Sequence, residues 1–362
     1  MQDNLKEIVR ILWSKGLPFV AYRFPQQQEV VIFVQYSMEI EEFNIEDIES
    51  VSGFVMAPFE STITKRAFIL KPDLILNSHV QLSEVKKLPS VKDQATSQTL
   101  SNSIRTKEKY LVNAHAVLKH LKNHKLQKLV LSRVIEKKLK QAFDPGLAFS
   151  ILNERYSHSF NYVFHLPSAG SWMGATPETF LRINDKEAQT VSLAGTKPAD
   201  AIKWTLKERR EQAIVTDFIS YEIDKLGIVN YKIDGPETVL AGNVAHLSSK
   251  FKIPINELIG KTGKLVRSLH PTPAVCGLPQ REAFEYIRRI EDHDRKFYAG
   301  FLGPWQMNGH SDLFVNLRCA EFDNKKMHIF VGGGFTSSSV VESEWEETVH
   351  KLKTMLSVAE NF

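Results

Sequence analysis

Runs of apolar and β-branched residues recur along the whole chain, and long helical segments interrupt them. Within residues 1–85, FVAYRF, EVVIFVQY and RAFILKP are separated by polar turns, the pattern of strands joined by loops. Further on, KLVLSRVIEKKL, NYVFHLP, GSWMGA and TFLRIN predict strands, and FYAGFLGPWQM, DLFVNLRCAEF and KKMHIFVGG predict three more in succession. Helical spacing predicts helices over 107–123, near 146–155, over 205–226 and over 280–292. Strand runs broken by helices of this length point to an α+β fold with helices covering antiparallel sheets. No strand–GxGxxG–helix fingerprint of a dinucleotide site is present.

A chain of 362 residues can form one large domain or two medium ones. The stretch 86–105, KKLPSVKDQATSQTLSNSIR, has few large apolar side chains and reads as a linker. It divides a strand-rich portion, 1–105, from a region 106–362, and the two are expected to form one compact structural domain. A hydrophobic share of 43% and a charged share of 24% are those of a soluble globular protein. No apolar run approaches the ~20 residues of a membrane span. The start, MQDNLKEIVRILW, reads as an amphipathic helix and lacks the parts of a signal peptide. Two cysteines, Cys276 and Cys319, form no close-spaced metal motif and fit a reducing cytoplasm. The net charge of +4 is mild. Basic residues cluster between Lys119 and Lys140, but Tyr110, Ala114, Val117, Leu118 and Leu121 recur at helical spacing, so the preceding helix buries one face and solvates the other. Neither a nucleic-acid partner nor a membrane is expected.

The C-terminal stretch FVGGGFTSSSVVESEWEETVHK carries the densest chemistry. An apolar strand, Met327 to Val331, runs into three glycines, read as a turn, and then into a helix that begins acidic. Glu344, Glu347 and Lys351 stand at i, i+3 and i+7 and share one helical face. Glycine backbone N–H groups suit an anion, and two carboxylates suit a hard cation such as Mg2+. Acidic residues near a helix N-terminus are equally expected from the macrodipole. A second pair, Glu208 and Glu211, is also i, i+3 on a predicted helix; spacing leaves open whether it faces solvent or joins the first pair. Lys128 opens a strand. It can snorkel to water, or in a dry cleft its pKa falls and it becomes a candidate general base. Glu178, in the turn of MGATPETFLRI, is a candidate acid if enclosed. Arg318, inside the predicted strand DLFVNLRCAEF, has the fork geometry for a carboxylate. His270 opens a stiff, proline-rich loop, HPTPAVCGLP.

Eight motifs in this order resemble the chorismate-binding enzyme family, and within it the isochorismate synthases: KLVLSR, GATPE, SLAGTKP, KERREQ, HPTPAVCGLP, FYAGFLGPW, NLRCAE and GGGFTSSSVVESEWEETVHK. The resemblance spans Thr106 to Phe362. It implies large antiparallel sheets packed in a sandwich with helices outside, and Mg2+-dependent conversion of chorismate to isochorismate, with water added at C2 and the C4 hydroxyl lost. Matched motif to motif, Lys128 is implied as the base and Glu178 as the acid. Glu211 and Glu347 are implied as metal ligands, with Glu208 and Glu344 beside them. Arg318 and Lys351, with backbone N–H groups near Gly333 and Gly334, are implied to hold the ligand's carboxylates. Gly195, Thr196, His270, Ala274 and Tyr298 are implied to line the same pocket.

Ala194 stands where the aminodeoxychorismate branch of the family has a nucleophilic lysine, and Lys128 stands where anthranilate synthases generally lack one. No amidotransferase subunit is therefore expected. Salicylate synthases, which go on to eliminate pyruvate, are the alternative; an aminating enzyme or a non-catalytic binding protein stand behind it. GGGF departs from the GAG plus β-branched residue of many relatives, and the chain is short for the family.

Overall fold

The computed structural model describes residues 2–63, 65–77, 82–91, 106–123, 126–198, 200, 202–241 and 244–362. The N-terminal portion contributes α1 (Gln2–Ser14), β1 (Phe19–Arg23), β2 (Val31–Val34), β3 (Glu41–Phe43), β4 (Gly53–Ala57), β5 (Ala67–Leu70), β6 (Leu74–Asn77) and α2 (Leu82–Lys86). There follow α3 (Lys107–Lys122), β7 (Lys128–Lys138), α4 (Pro145–Arg155), β8 (Phe160–Leu166), β9 (Gly170–Thr176), β10 (Thr179–Ile183), β11 (Glu187–Pro198) and α5 (Leu206–Lys225). The chain continues with β12 (Lys232–Ala241), β13 (Val244–Pro254), α6 (Thr262–Leu269), β14 (Gly277–Leu278), α7 (Gln280–Ile290), β15 (Phe301–Trp305), β16 (Ser311–Val315), β17 (Cys319–Phe322), β18 (Lys326–Phe335) and α8 (Val341–Ala359).

Among the described residues these strands make two nine-stranded sheets, in the orders β14-β7-β18-β17-β9-β8-β1-β2-β6 and β12-β13-β11-β10-β16-β15-β4-β5-β3, and their pairings are antiparallel. The N-terminal strands are divided between the sheets: β1 pairs with β8, and β4 with β15. Alternation along the strands sorts side chains into two cores. Val20, Tyr22, Phe160, Tyr162 and Phe164 point into the space shared with the second sheet, among Phe54, Phe301 and Phe314. Phe19, Ala21 and Val163 point the other way, against Leu5, Ile8 and Leu12 of α1, Phe149 and Leu152 of α4, and Leu352 and Met355 of α8. One sheet is thus covered on both faces, which is why its strands read as near-continuous apolar runs.

Three expectations are corrected. The triple glycine is not a turn: Gly332, Gly333 and Gly334 lie within β18, paired with Ser132, Leu131 and Val130 of β7. A Cβ on Gly332 would stand 2.8 Å from the Tyr298 hydroxyl and 3.2 Å from the Leu131 carbonyl, so glycine here admits a close neighbour rather than a reversal. DLFVNLRCAEF is two strands, β16 and β17, broken at 316–318; Arg318 takes φ +48°, in the left-handed region. Buried Asn316 anchors the break, donating to the Phe297 carbonyl at 2.9 Å and accepting from the Tyr162 hydroxyl at 2.6 Å. FYAGFLGPWQM is extended only over Phe301–Trp305, because Ala299 also adopts a positive φ. The sequence does not reveal the β12–β13 hairpin; β12 is exposed over 232–240 and shows no apolar alternation. Most of the polar stretch 86–105 lies outside the described residues.

A buried ion pair fastens the edge of the first sheet. Arg295 donates from Nε to Glu291 Oε2 at 2.8 Å and from Nη2 to Oε1 at 2.7 Å. Its remaining N–H groups reach the carbonyls of Val275 and Val130, each at 2.8 Å, and Glu291 Oε1 accepts the Ser132 N–H at 2.6 Å. Burial disfavours the Glu291 carboxylate, but Arg295 outweighs burial and holds it down at about 2. A depressed carboxyl stabilises the fold fully above its ordinary value of 4.5 and loses that contribution as pH falls toward 2. Glu291→Gln strands the guanidinium, so we expect a loss of about 3–5 kcal/mol in urea unfolding at pH 7. The loss should shrink in acid, where the wild type is protonated as well.

The glycines of β18 separate by the same packing logic. Gly332→Ala must displace Tyr298 and is expected to cost about 1–3 kcal/mol in thermal denaturation. A Cβ on Gly333 meets nothing closer than 3.4 Å, so Gly333→Ala should be neutral or gain about 0.4–1 kcal/mol from a stiffer unfolded chain.

Candidate active site

One cavity of about 200 Å³ gathers most of the residues singled out by the sequence. Its wall includes Lys128 and Val130 of β7, Gly332 and Gly334 of β18, Glu178 from the β9–β10 turn, and Arg318 from the β16–β17 break. Helices α5 and α8 add Glu208 and Glu211, and Glu344, Glu347 and Lys351. Ala274, Tyr298 and Gly195 complete the set of expected residues that line it. The two acidic pairs, on different helices, therefore meet at one place.

Each side chain is held by the fold. Lys128 is the first residue of β7, between β14 and β18, and is 7% exposed. Burial pushes its pKa down, against the pull of Glu211 and Glu178. Glu178 sits where its own carbonyl accepts the Val315 N–H at 3.0 Å. Burial raises its carboxyl to about 7, although Lys128 and Lys351 favour the charged form. A lysine and a carboxylic acid thus share a cavity with their pKa values moved toward each other, as acid–base pairs at neutral pH require.

The cationic side of the cavity is fixed through backbone. Arg318 donates from Nη1 to the Lys351 carbonyl at 3.1 Å, and Lys351 donates from Nζ to the Gly332 carbonyl at 3.1 Å. Lys351 also pairs with Glu347 at 2.5 Å. On α5, Glu208 reaches back to the Thr205 N–H at 2.8 Å and hydroxyl at 2.5 Å, capping its own helix. It also meets Lys197 at 3.2 Å. Burial resists ionisation of Glu208, but the hydrogen bonds from Thr205 and Lys197 prevail and hold it at about 2. Gln212, one residue beyond Glu211, fixes α5 to the second sheet by donating to the Ser192 carbonyl at 3.0 Å and hydroxyl at 2.9 Å.

Two expected residues, Gly333 and His270, fall elsewhere. Gly333 faces away from the cavity, toward Glu344 O, Tyr110 and Thr348, because alternation turns only Gly332 and Gly334 inward. His270 is a core residue: Nε2 donates to the Phe59 carbonyl at 3.1 Å, its ring stands edge-on to Phe301 at 5.0 Å, and burial lowers its pKa to about 4. It secures the loop that supplies Ala274. The Thr196 side chain lies outside the described residues; its backbone pairs with His246.

His246 was not foreseen and does line the cavity. Its Nδ1 is 3.0 Å from the Gly195 carbonyl, which can only accept, so Nδ1 carries the proton; burial lowers its pKa. The alternation of NVAHLSSKF, with His246 on a strand, was the available signal. Leu193, Val275, Leu317 and Phe330 give the cavity its apolar surface. Among the described residues no three His, Cys, Asp or Glu side chains are gathered into a ready-made metal cage. No described helix is long and apolar enough to cross a membrane.

Comparison with known proteins bears on the fold and the family. The family described as "Chorismate binding enzyme" matches residues 21–360. The vibriobactin-specific isochorismate synthase of Vibrio cholerae is 26% identical over 318 residues, 84% of this chain and 78% of that one. Isochorismate synthase EntC of Escherichia coli is 28% identical over 244 residues, 64% of this chain and 62% of that one. The crystal structure of a protein from Bacillus anthracis described as a "putative 2,3-dihydroxybenzoate-specific isochorismate synthase, DhbC" superposes with a TM-score of 0.79 at 24% identity, covering 97% of this chain and 99% of that one. The sheet sandwich with outer helices is thus a known fold, and the chain belongs to the chorismate-binding enzyme family.

Proposed function

We propose that this chain is an isochorismate synthase that converts chorismate to isochorismate. The observation that carries the reading is the enclosed pair of Lys128, its pKa lowered by burial, and Glu178, its carboxyl raised to about 7. Neutral Lys128 accepts a proton from water as the water oxygen bonds to C2. The ring double bond shifts, the C4–O bond breaks, and protonated Glu178 donates to the departing hydroxyl, which leaves as water. One water enters and one leaves, so the reaction is an isomerisation. A proton returned from Lys128 to Glu178 resets the pair.

Chorismate is a dicarboxylate, and the cations available to it are Arg318 and Lys351. The four glutamates need a different account, since they repel an anion. Their oxygen donors suit Mg2+, which takes one or two protein carboxylates plus water and substrate oxygens rather than a closed protein cage. Glu211 and Glu347 would hold it, with Glu208 and Glu344 beside them; when bound it neutralises the ring carboxylate. Glu208, tied to Thr205 and Lys197, suits a supporting place better than a direct one. The related enzymes are named for vibriobactin, 2,3-dihydroxybenzoate and menaquinone.

Incubation with chorismate and Mg2+, followed by chromatography, tests the reading. Isochorismate as sole product is expected, and chelation should stop its formation. Salicylate with pyruvate would instead indicate the eliminating relatives, anthranilate formed with ammonia the aminating ones, and no turnover a binding protein. Lys128→Ala should abolish hydration, at least about 100-fold in kcat, while chorismate still binds; normal turnover by this variant would remove Lys128 as the base. Glu178 must be protonated to act as the acid, so kcat/KM should fall as pH rises through about 7. A rate flat from pH 6 to 9 would refute that role.

A further inference from the structure

The KLVLSR motif supplies Lys128, but its last residue has no part in the chemistry above. Arg133 is five residues beyond Lys128 on β7, so the two side chains leave opposite faces of the strand. Arg133 is 2% exposed. Its Nε donates to Thr348 Oγ1 at 2.9 Å, and its guanidinium lies 4.0 Å from the centre of the Trp345 ring. Trp345 in turn packs on Tyr110 of α3, with ring centroids 5.3 Å apart. Trp345 and Thr348 bracket Glu347 on α8, and Glu344 precedes them.

This arginine is expensive to bury. Nη2 makes no hydrogen bond among the described residues, and neither does the neighbouring Tyr110 hydroxyl. Burial lowers the guanidinium to about 10. An apolar side chain of similar length would fill the space without leaving a buried donor unpaired. What an apolar side chain cannot supply is a flat donor that locks two consecutive contacts on one helical face. The far ends of that helix segment, Glu344, Glu347 and Lys351, enter the cavity that Lys128 enters from the other face of the same strand.

We propose that Arg133 is a positioning residue that fixes the rotation of α8 on β7, and so sets where Glu344, Glu347 and Lys351 stand relative to Lys128. The proposal deepens the isochorismate synthase reading and rests on it. Arg133 touches neither substrate nor metal in this scheme; it acts through Trp345 and Thr348.

The test compares wild type with Arg133→Met, Arg133→Lys and the near-isosteric Thr348→Val, each checked for folding by circular dichroism. With Arg133→Met, the KM for chorismate and the Mg2+ concentration for half-maximal rate should rise roughly 10–100-fold, the scale for losing a residue that orients ligating side chains. The limb near pH 7 assigned to Glu178 should stay in place. Thr348→Val should move the same quantities in the same direction by less, and Arg133→Lys should recover only part of the loss. Hydrogen exchange over 341–351 should quicken in Arg133→Met, with the strands unchanged. A folded Arg133→Met enzyme with native KM and Mg2+ requirement overturns the proposal. If the wild type makes no isochorismate, the functional reading fails separately, and exchange over 341–351 decides: equal rates in wild type and Arg133→Met overturn the positioning role, and faster exchange in the variant upholds it.

Discussion

The ion pair of Glu291 with Arg295 ties together pieces of chain that no regular element connects. Arg295 spends its donors on a carboxylate, on the carbonyl of Val130 in β7 and on the carbonyl of Val275 in the loop after α6. Val130 and Val275 both line the cavity, and Lys128 is two residues from one of them. A sheet edge has unpaired backbone groups and would be free to slide or fray. Here β14 contributes only two residues to cover β7, and the guanidinium takes over where that pairing ends. The placement of the candidate base thus depends on a charge pair that is worth little as net stability but is severe to break.

The cavity sets opposite charges against each other instead of concentrating one sign. Lys128, Arg318 and Lys351 share it with Glu178, Glu208, Glu211, Glu344 and Glu347. Several of these already have partners: Glu347 pairs with Lys351, Arg318 with the Lys351 backbone, and Glu208 with Lys197 outside the cavity wall. Glu178 stands apart, since burial raises its carboxyl to about 7 while Glu208 is held at about 2. The difference is local: Glu208 accepts hydrogen bonds from its own helix start, and Glu178 sits in a turn where burial is the largest influence. Two carboxyls of the same type in one cavity, Glu178 and Glu208, are thereby held far apart in acidity.

Much of this was legible in the sequence. The i, i+3 spacing on α5 and α8 is a property of helices, so Glu208 with Glu211 and Glu344 with Glu347 were readable as pairs. Their meeting depends on sheet topology, which a single sequence does not encode at short range. Three glycines look the same in a turn and in a strand; only the partner β7 and the nearby Tyr298 hydroxyl distinguish them. His270 has a ligand's chemistry and a core residue's surroundings, and those surroundings, Phe59, Phe180 and Phe301, come from distant segments. The positive φ at Arg318 broke a run whose composition reads as one strand. His246 is not legible in the sequence because the neighbouring strand β12 is solvent-exposed over 232–240 and has no periodicity to reveal the pair.

The two central strands of the site, β7 and β18, carry different duties on their two faces. Inward, Lys128 and Val130 face a strand stripped to Gly332 and Gly334, and the missing side chains leave room for a ligand and for Tyr298. Outward, Arg133 and Gly333 meet α8, which supplies Glu344, Glu347 and Lys351. Because side chains alternate with period two, a shift of one residue in the β7–β18 register would exchange these duties completely. It would bury Lys128 against the helix and turn Arg133 into the cavity. The register, held by ten consecutive pairs from Lys326 with Lys138 to Phe335 with Leu129, is therefore what lets one strand present the candidate base to the cavity while its opposite face packs against the helix that carries Glu344 and Glu347.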